Sequence, residues 1–243
     1  MIVIISDLCV RRHLGDMSVI HQQIEAKSAG ASSVGKEDRV EWSLGFYSSL
    51  ISFIATAGYC IVQVLQVVKA IHFPVDAYLI FGFSLGIAVP YVMAVIALHH
   101  LLDPEKRVWS HVAIAFSIMY ATYVNLNYVV QIVTVIPAAK QGALSDLRIL
   151  DQTPHSLFWD VDALGYIFMG ISTLFLGLAI PNVHKWLRRF LFANAVVVPL
   201  ISFVYFYPQF STALLLMGSP WMITATGSLL LLANFFRSRR ISC

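Results

Sequence analysis

The sequence predicts an all-α, polytopic membrane protein: a bundle of six transmembrane helices with both termini cytoplasmic. Three observations carry that expectation. Hydrophobic residues make up 58% of the 243-residue chain and charged residues only 12%, about half the charged share of a soluble domain and too little to coat a globule in water. Charge-free stretches recur at lengths near the roughly 20 residues with which a helix crosses a bilayer. Lys and Arg cluster in alternate connections, the asymmetry that orients membrane helices. In lipid the backbone must bond to itself, so helices packed as a bundle are the architecture that fits.

Residues 1–41 read as a cytoplasmic N-terminal segment, partly disordered. It opens on "MIVIISDLCV", with Arg11 and Arg12 after the apolar run; a signal peptide places its positive charge first. Two readings stay open for this stretch: it belongs to the chain, or translation begins at Met17 and leaves a short polar tail. "QIEAKSAGASSVGKEDR" then has the composition of a solvated linker.

The transmembrane domain is expected over residues 42–236, with spans at about 42–68, 77–100, 109–136, 162–181, 188–207 and 212–236, followed by a basic cytoplasmic tail at 237–243. The last two spans come from one apolar stretch that is too long for a single crossing. "YFYPQFST", Tyr205–Thr212, divides it, because Pro208 lacks an N–H and Gln209 and Ser211 suit an interface. Pro90, Pro199 and Pro220 are expected to interrupt the second, fifth and sixth helices.

Orientation is read from the basic connections. Lys27, Lys36 and Arg39 precede the first span, Lys106 and Arg107 come after the second, Lys185, Arg188 and Arg189 after the fourth, and Arg237, Arg239 and Arg240 after the sixth. With six spans all these clusters share one side. The other side holds Lys69, Lys140 and Arg148, diluted by Asp76, Asp146, Asp151, Asp160 and Asp162. Trp42, Trp109 and Trp186 stand at the basic interface and Trp159 at the opposite one, the depth amphipathic rings prefer.

At about 100° per residue, spacing tells which side chains share a helical face. Ser48, Ser52, Thr56, Tyr59, Gln63 and Gln66 form one stripe on the first helix. Tyr120, Tyr123, Asn127, Gln131 and Thr134 form another on the third. Asp162, Tyr166 and Thr173 align on the fourth, with Gly165, Gly170 and Gly177 at the margins. The outward halves of three helices thus bring amides, phenols and one carboxylate to a similar depth. If these faces converge they line a polar cavity, and the candidate ligand-binding residues are Gln63, Gln66, Tyr123, Asn127, Gln131, Asp162 and Tyr166. The same residues could instead be glue between helices, each contact contributing roughly 0.6–2 kcal/mol.

Other chemistry is thin. There is no phosphate loop, glycine fingerprint or HExxH motif, so no cofactor, no metal and no catalytic residue is assigned. A net charge of +3 gives no reason to expect nucleic acid. Cys9, Cys60 and Cys243 are scattered and suggest no disulfide framework. His99, His100, His111 and His184 gather near the basic face, where plain interface histidines are expected. In the connection 141–162, Leu144, Leu147 and Leu150 recur every third residue and suggest a short helix lying on the membrane surface. His155 with Asp160 or Asp162 could act as base and orienting carboxylate, although Asp162 is expected to cap the fourth helix, whose dipole favours an anion there.

Three roles are compatible with this pattern. The first is a multi-pass membrane protein that binds or passes a small uncharged or amphiphilic molecule, its partners being the lipid bilayer and that ligand. The second is a membrane-embedded enzyme acting on a lipid. The third is a structural or partner subunit.

Overall fold

The computed structural model describes residues 39–240. The linker, the alternative start at Met17 and the last three residues of the basic tail lie outside the described residues. All contacts below belong to one compact unit, Glu41–Ser242. Every regular element among the described residues is helical: α1 (Arg39–Val67), α2 (Val75–Leu101), α3 (Arg107–Val130), α4 (Ile136–Lys140), α5 (Leu157–Ala179), α6 (Lys185–Val196), α7 (Val198–Phe206), α8 (Thr212–Met217) and α9 (Pro220–Arg240).

Five helical runs are long and apolar enough to cross a membrane: α1, α2, the run Pro104–Lys140, α5, and Lys185–Phe206, which joins α6 to α7. The sequence reading expects six. The difference is α9, which has 21 residues but in which Thr224, Thr226, Ser228, Asn234 and Arg237 dilute the apolar run.

The prolines act differently at each site. Pro90 lies inside a continuous α2 and does not interrupt it. Pro199 sits in the first turn of α7 and marks the boundary with α6, since it has no N–H to extend the ladder. Pro220 opens α9, where a missing N–H removes nothing. The helix at the fourth expected span, 162–181, begins ahead of residue 162. The helix starts at Leu157 because the Ser156 side chain accepts the Trp159 N–H at 3.2 Å, satisfying one of the orphan donors of the first turn. Asp162 is therefore not the cap.

Sequence spacing also misses a π-helical turn, Gln131–Val135, between α3 and α4. Pro137 cannot donate to the carbonyl of Val133, and the wider turn falls just upstream. The wider turn rotates the helical face beyond it. The buried positions after Gln131 are Val135 and Ile136, while Thr134, expected on the stripe, is only half-buried.

The helices share two ends. At one, Trp42 of α1 packs on Phe235 and Phe236 of α9, Trp109 of α3 stacks with Phe175 of α5, His184 meets Phe235, and Glu41 lies 3.8 Å from His100. The described basic clusters belong to this end. At the opposite end Gln66 of α1 bonds to Asp76 of α2, Trp159 of α5 packs on Tyr205 of α7, and Tyr59 of α1 packs on Trp221 of α9. Trp159 is 8% exposed, so it belongs to the interior and not to the expected interface belt.

α5 is the central helix: 56% of its apolar window is buried, against 22% for α1. It packs against α3, α6 and α7. Gly165 makes the α3 contact possible, because a Cβ there would stand 2.5 Å from Cγ1 of Val124. Short polar ties reinforce the bundle. Tyr91 of α2 bonds to Ser172 of α5 at 2.9 Å, and Ser172 donates to the Ala113 carbonyl of α3 at 2.9 Å. Ser52 of α1 donates to the Ile87 carbonyl of α2 at 3.0 Å. Such bonds are worth on average about 0.6 kcal/mol each between membrane helices. The first half of the α1 stripe, Ser48, Ser52 and Thr56, is thus a buried packing seam. Ile54, Ile61, Val133 and Ile223 stay exposed on the outside, where an apolar surface suits lipid.

Candidate functional site

Two polar constellations occupy the end opposite the basic clusters. The first centres on Asp162, one turn before Gly165 on α5. The close approach at Gly165 brings α3 within reach, so Asn127 Nδ2 donates to Asp162 Oδ1 at 3.3 Å. Gln152 Nε2 donates to Asp162 Oδ2 at 2.9 Å, and the Tyr205 hydroxyl donates to the same oxygen at 2.6 Å. Gln152 comes from the connection before α5 and Tyr205 from the last turn of α7.

The surrounding amides close this network. Asn127 Nδ2 also donates to Gln152 Oε1 at 2.9 Å. Gln131 Nε2 donates to Asn127 Oδ1 at 3.3 Å and to the Leu150 carbonyl at 2.7 Å, and its Oε1 accepts the Gln152 N–H at 3.2 Å. Asp162, Asn127 and Gln131 are at most 2% exposed. The connection is therefore tied down as a stopper over the ends of α3 and α5. The short helix expected at Leu144, Leu147 and Leu150 is a 3-10 turn over Leu144–Leu147, the tighter helix used in short pieces. Asp151 beside it is partly buried, and this desolvation raises its carboxyl pKa against the lowering pull of Arg148.

The second constellation is a cavity of about 320 Å³ between α1, α5, α7 and α9. Its polar lining is Tyr59, Gln63, Tyr166, Tyr205, Ser219 and Trp221, and no charged side chain is among the lining residues. Val64, Val68 and Leu216 lie at its rim and are more than half exposed. Its back wall is aromatic: Trp221 meets Tyr166 edge-on at 4.8 Å and Tyr59 at 5.9 Å. The Tyr166 hydroxyl pairs with that of Tyr128 at 3.5 Å. Gln63 donates to Gln66 at 3.2 Å, and Gln66 donates to Asp76 at 2.9 Å.

The seven candidate residues are thus divided. Asn127, Gln131 and Asp162 come together in the closed network. Gln63 and Tyr166 line the cavity, and Gln66 stands behind Gln63. Tyr123 turns to Phe168 of α5, with ring centroids 5.4 Å apart, and lines neither. The cavity is bounded by α7 and α9 where spacing suggested α3. Tyr205 joins the two constellations, since it both lines the cavity and holds Asp162.

Sequence reasoning missed Gln152, Tyr205, Asp76 and Trp221. Gln152 and Tyr205 lie in or beside a connection, where periodicity carries no signal. Asp76, read as a diluting charge, is 9% exposed and anchors Gln66. The acid–base pairing of His155 is not formed. His155 and Asp160 are exposed, Asp162 is buried, and no hydrogen bond joins them among the described residues. At the basic end His99 bonds to Ser110 at 2.7 Å and its ring lies 4.2 Å from that of His111. No group of three metal-ligating side chains occurs among the described residues.

The class defined by these features is an all-helical protein with five helices long and apolar enough to cross a membrane. Comparison with protein-family models, curated proteins and solved structures finds no match for the chain.

Proposed function

We propose that the chain is a multi-pass protein of the cell membrane that binds or passes a small uncharged or amphiphilic molecule. The observation that carries this reading is the cavity between α1, α5, α7 and α9. It has apolar walls, a few convergent polar groups and no charged lining, the composition of a ligand site. Its rim of Val64, Val68 and Leu216 suits entry from lipid. The proposed topology has six crossings, with α9 as the sixth and the basic end cytoplasmic. It is supported by Lys106, Arg107, Lys185, Arg188 and Arg189 at connections on one end.

The test uses purified protein in phosphatidylcholine nanodiscs and a diazirine-bearing decane probe, with labelled residues read by peptide mass spectrometry. Label is expected on Tyr59, Gln63, Tyr166 and Trp221, and Val204→Phe, which fills the cavity, is expected to reduce it at least fivefold. Label spread only over the lipid-facing residues of α1 and α2 would refute the reading.

A further inference from the structure

Two carboxylates set the direction of the hydrogen bonds that end in this cavity. On the α1 wall, Asp76 Oδ2 accepts from Gln66 Nε2 at 2.9 Å and Gln66 Oε1 accepts from Gln63 Nε2 at 3.2 Å. Both Asp76 oxygens accept, Oδ1 taking the Ala77 N–H at 2.8 Å, so the sense of this relay is fixed. Gln63 is left presenting an uncommitted carbonyl oxygen. On the α7 wall, three donors converge on Asp162, one of them the Tyr205 hydroxyl at 2.6 Å. With its proton committed, the Tyr205 oxygen can only accept. On the wall between them, Trp221 supplies an indole N–H, a pure donor, with no hydrogen-bond partner among the described residues. Tyr59, Tyr166 and Ser219 carry rotatable hydroxyls that serve either way, that of Tyr166 also pairing with Tyr128.

We infer that the cavity takes a hydroxyl-bearing amphiphile, an inference that rests on the binding reading above. A hydroxyl donates to Gln63 or Tyr205 and accepts from Trp221 at once. An ether, ester or ketone only accepts, so it leaves both acceptor walls facing another acceptor. A charged headgroup would enter a site with no opposite charge in its lining, at a large desolvation cost. The volume of about 320 Å³ matches roughly ten groups of the 30 Å³ that a water occupies, the size of an alcohol of about ten carbons.

The experiment compares a diazirine-bearing 1-decanol with its methyl ether, titrated onto the protein in phosphatidylcholine nanodiscs. The readout is the concentration that half-saturates label on the cavity residues. The alcohol is expected to need about tenfold less, the factor that one well-made hydrogen bond yields at its upper range. Gln63→Leu and Tyr205→Phe are each expected to narrow that ratio at least threefold. Gln63 is half-exposed, so its variant carries the test if Tyr205→Phe fails to fold. Equal half-saturation by alcohol and ether in the unmodified protein overturns the hydroxyl inference and leaves the binding reading standing. Absence of cavity label from both probes overturns the two together.

Discussion

Replacing Asp162 with Ala tests whether the closed network, rather than the apolar contacts around it, fastens the connection 141–156 to the bundle. The carboxylate receives Asn127 Nδ2, Gln152 Nε2 and the Tyr205 hydroxyl at 3.3, 2.9 and 2.6 Å. Side-chain hydrogen bonds between membrane helices are worth about 0.6 kcal/mol on average and about 1.7 at most, so three of them amount to about 2–5 kcal/mol. The upper half of that range is favoured. Asn127 is fully buried, so the N–H that loses Asp162 finds no water, while the other keeps Gln152 Oε1. Asp162→Asn keeps one accepting oxygen and is expected to lose about half as much. The assay is equilibrium unfolding in mixed micelles of dodecyl maltoside and SDS, with a double-mutant cycle against Asn127→Ala. A coupling of at least about 0.6 kcal/mol is expected from the average bond. An Asp162→Ala variant that unfolds within about 0.5 kcal/mol of the unmodified protein, the scatter of ordinary surface changes, would refute the reasoning.

Gly165→Ala is expected to lose about 1–3 kcal/mol in the same assay, because Val124 is stiff, fully buried and 2.5 Å from the new Cβ; Val124→Ala in the same chain should restore most of the loss. Ser156→Ala removes the cap of α5 and should cost about 1 kcal/mol, where no change in unfolding midpoint would contradict the capping role. For orientation, Glu105→Cys and Gln141→Cys are placed singly in a chain with Cys9, Cys60 and Cys243 changed to Ser. A membrane-impermeant maleimide added to intact cells should label only Gln141→Cys, and labelling of Glu105→Cys alone would invert the proposed topology.

The stripes on the third and fourth predicted helices were legible because 3.6-residue periodicity is a property of the chain alone. It placed Asn127 and Gln131 on one face and Asp162 with Tyr166 on another, and these are the pairs that the structure buries. The same arithmetic failed at Thr134, where the π-helical turn rotates the face toward Val135 and Ile136. It failed at Asp162 as a cap, because Ser156 had already started the helix. It could not tell that the first-helix stripe divides, with Ser48, Ser52 and Thr56 as seam and Tyr59 and Gln63 as cavity wall. Which half is seam depends on α2 crossing at Ile87 and α9 arriving at Trp221.

By itself the sequence determined that the chain is all-helical and that it carries helices long and apolar enough to cross a membrane. These come from composition and from local period, which need no knowledge of neighbours. Only the tertiary structure decided that Gln152 and Tyr205 meet Asp162, that Asp76 directs Gln66 and Gln63, and that α7 and α9 enclose the cavity. Gln66 and Asp76, Gln152 and Asp162, and Tyr205 and Asp162 stand 10, 10 and 43 positions apart, and no local pattern encodes a distance of that kind. The close approach at Gly165 and the break at Pro199 set it in space.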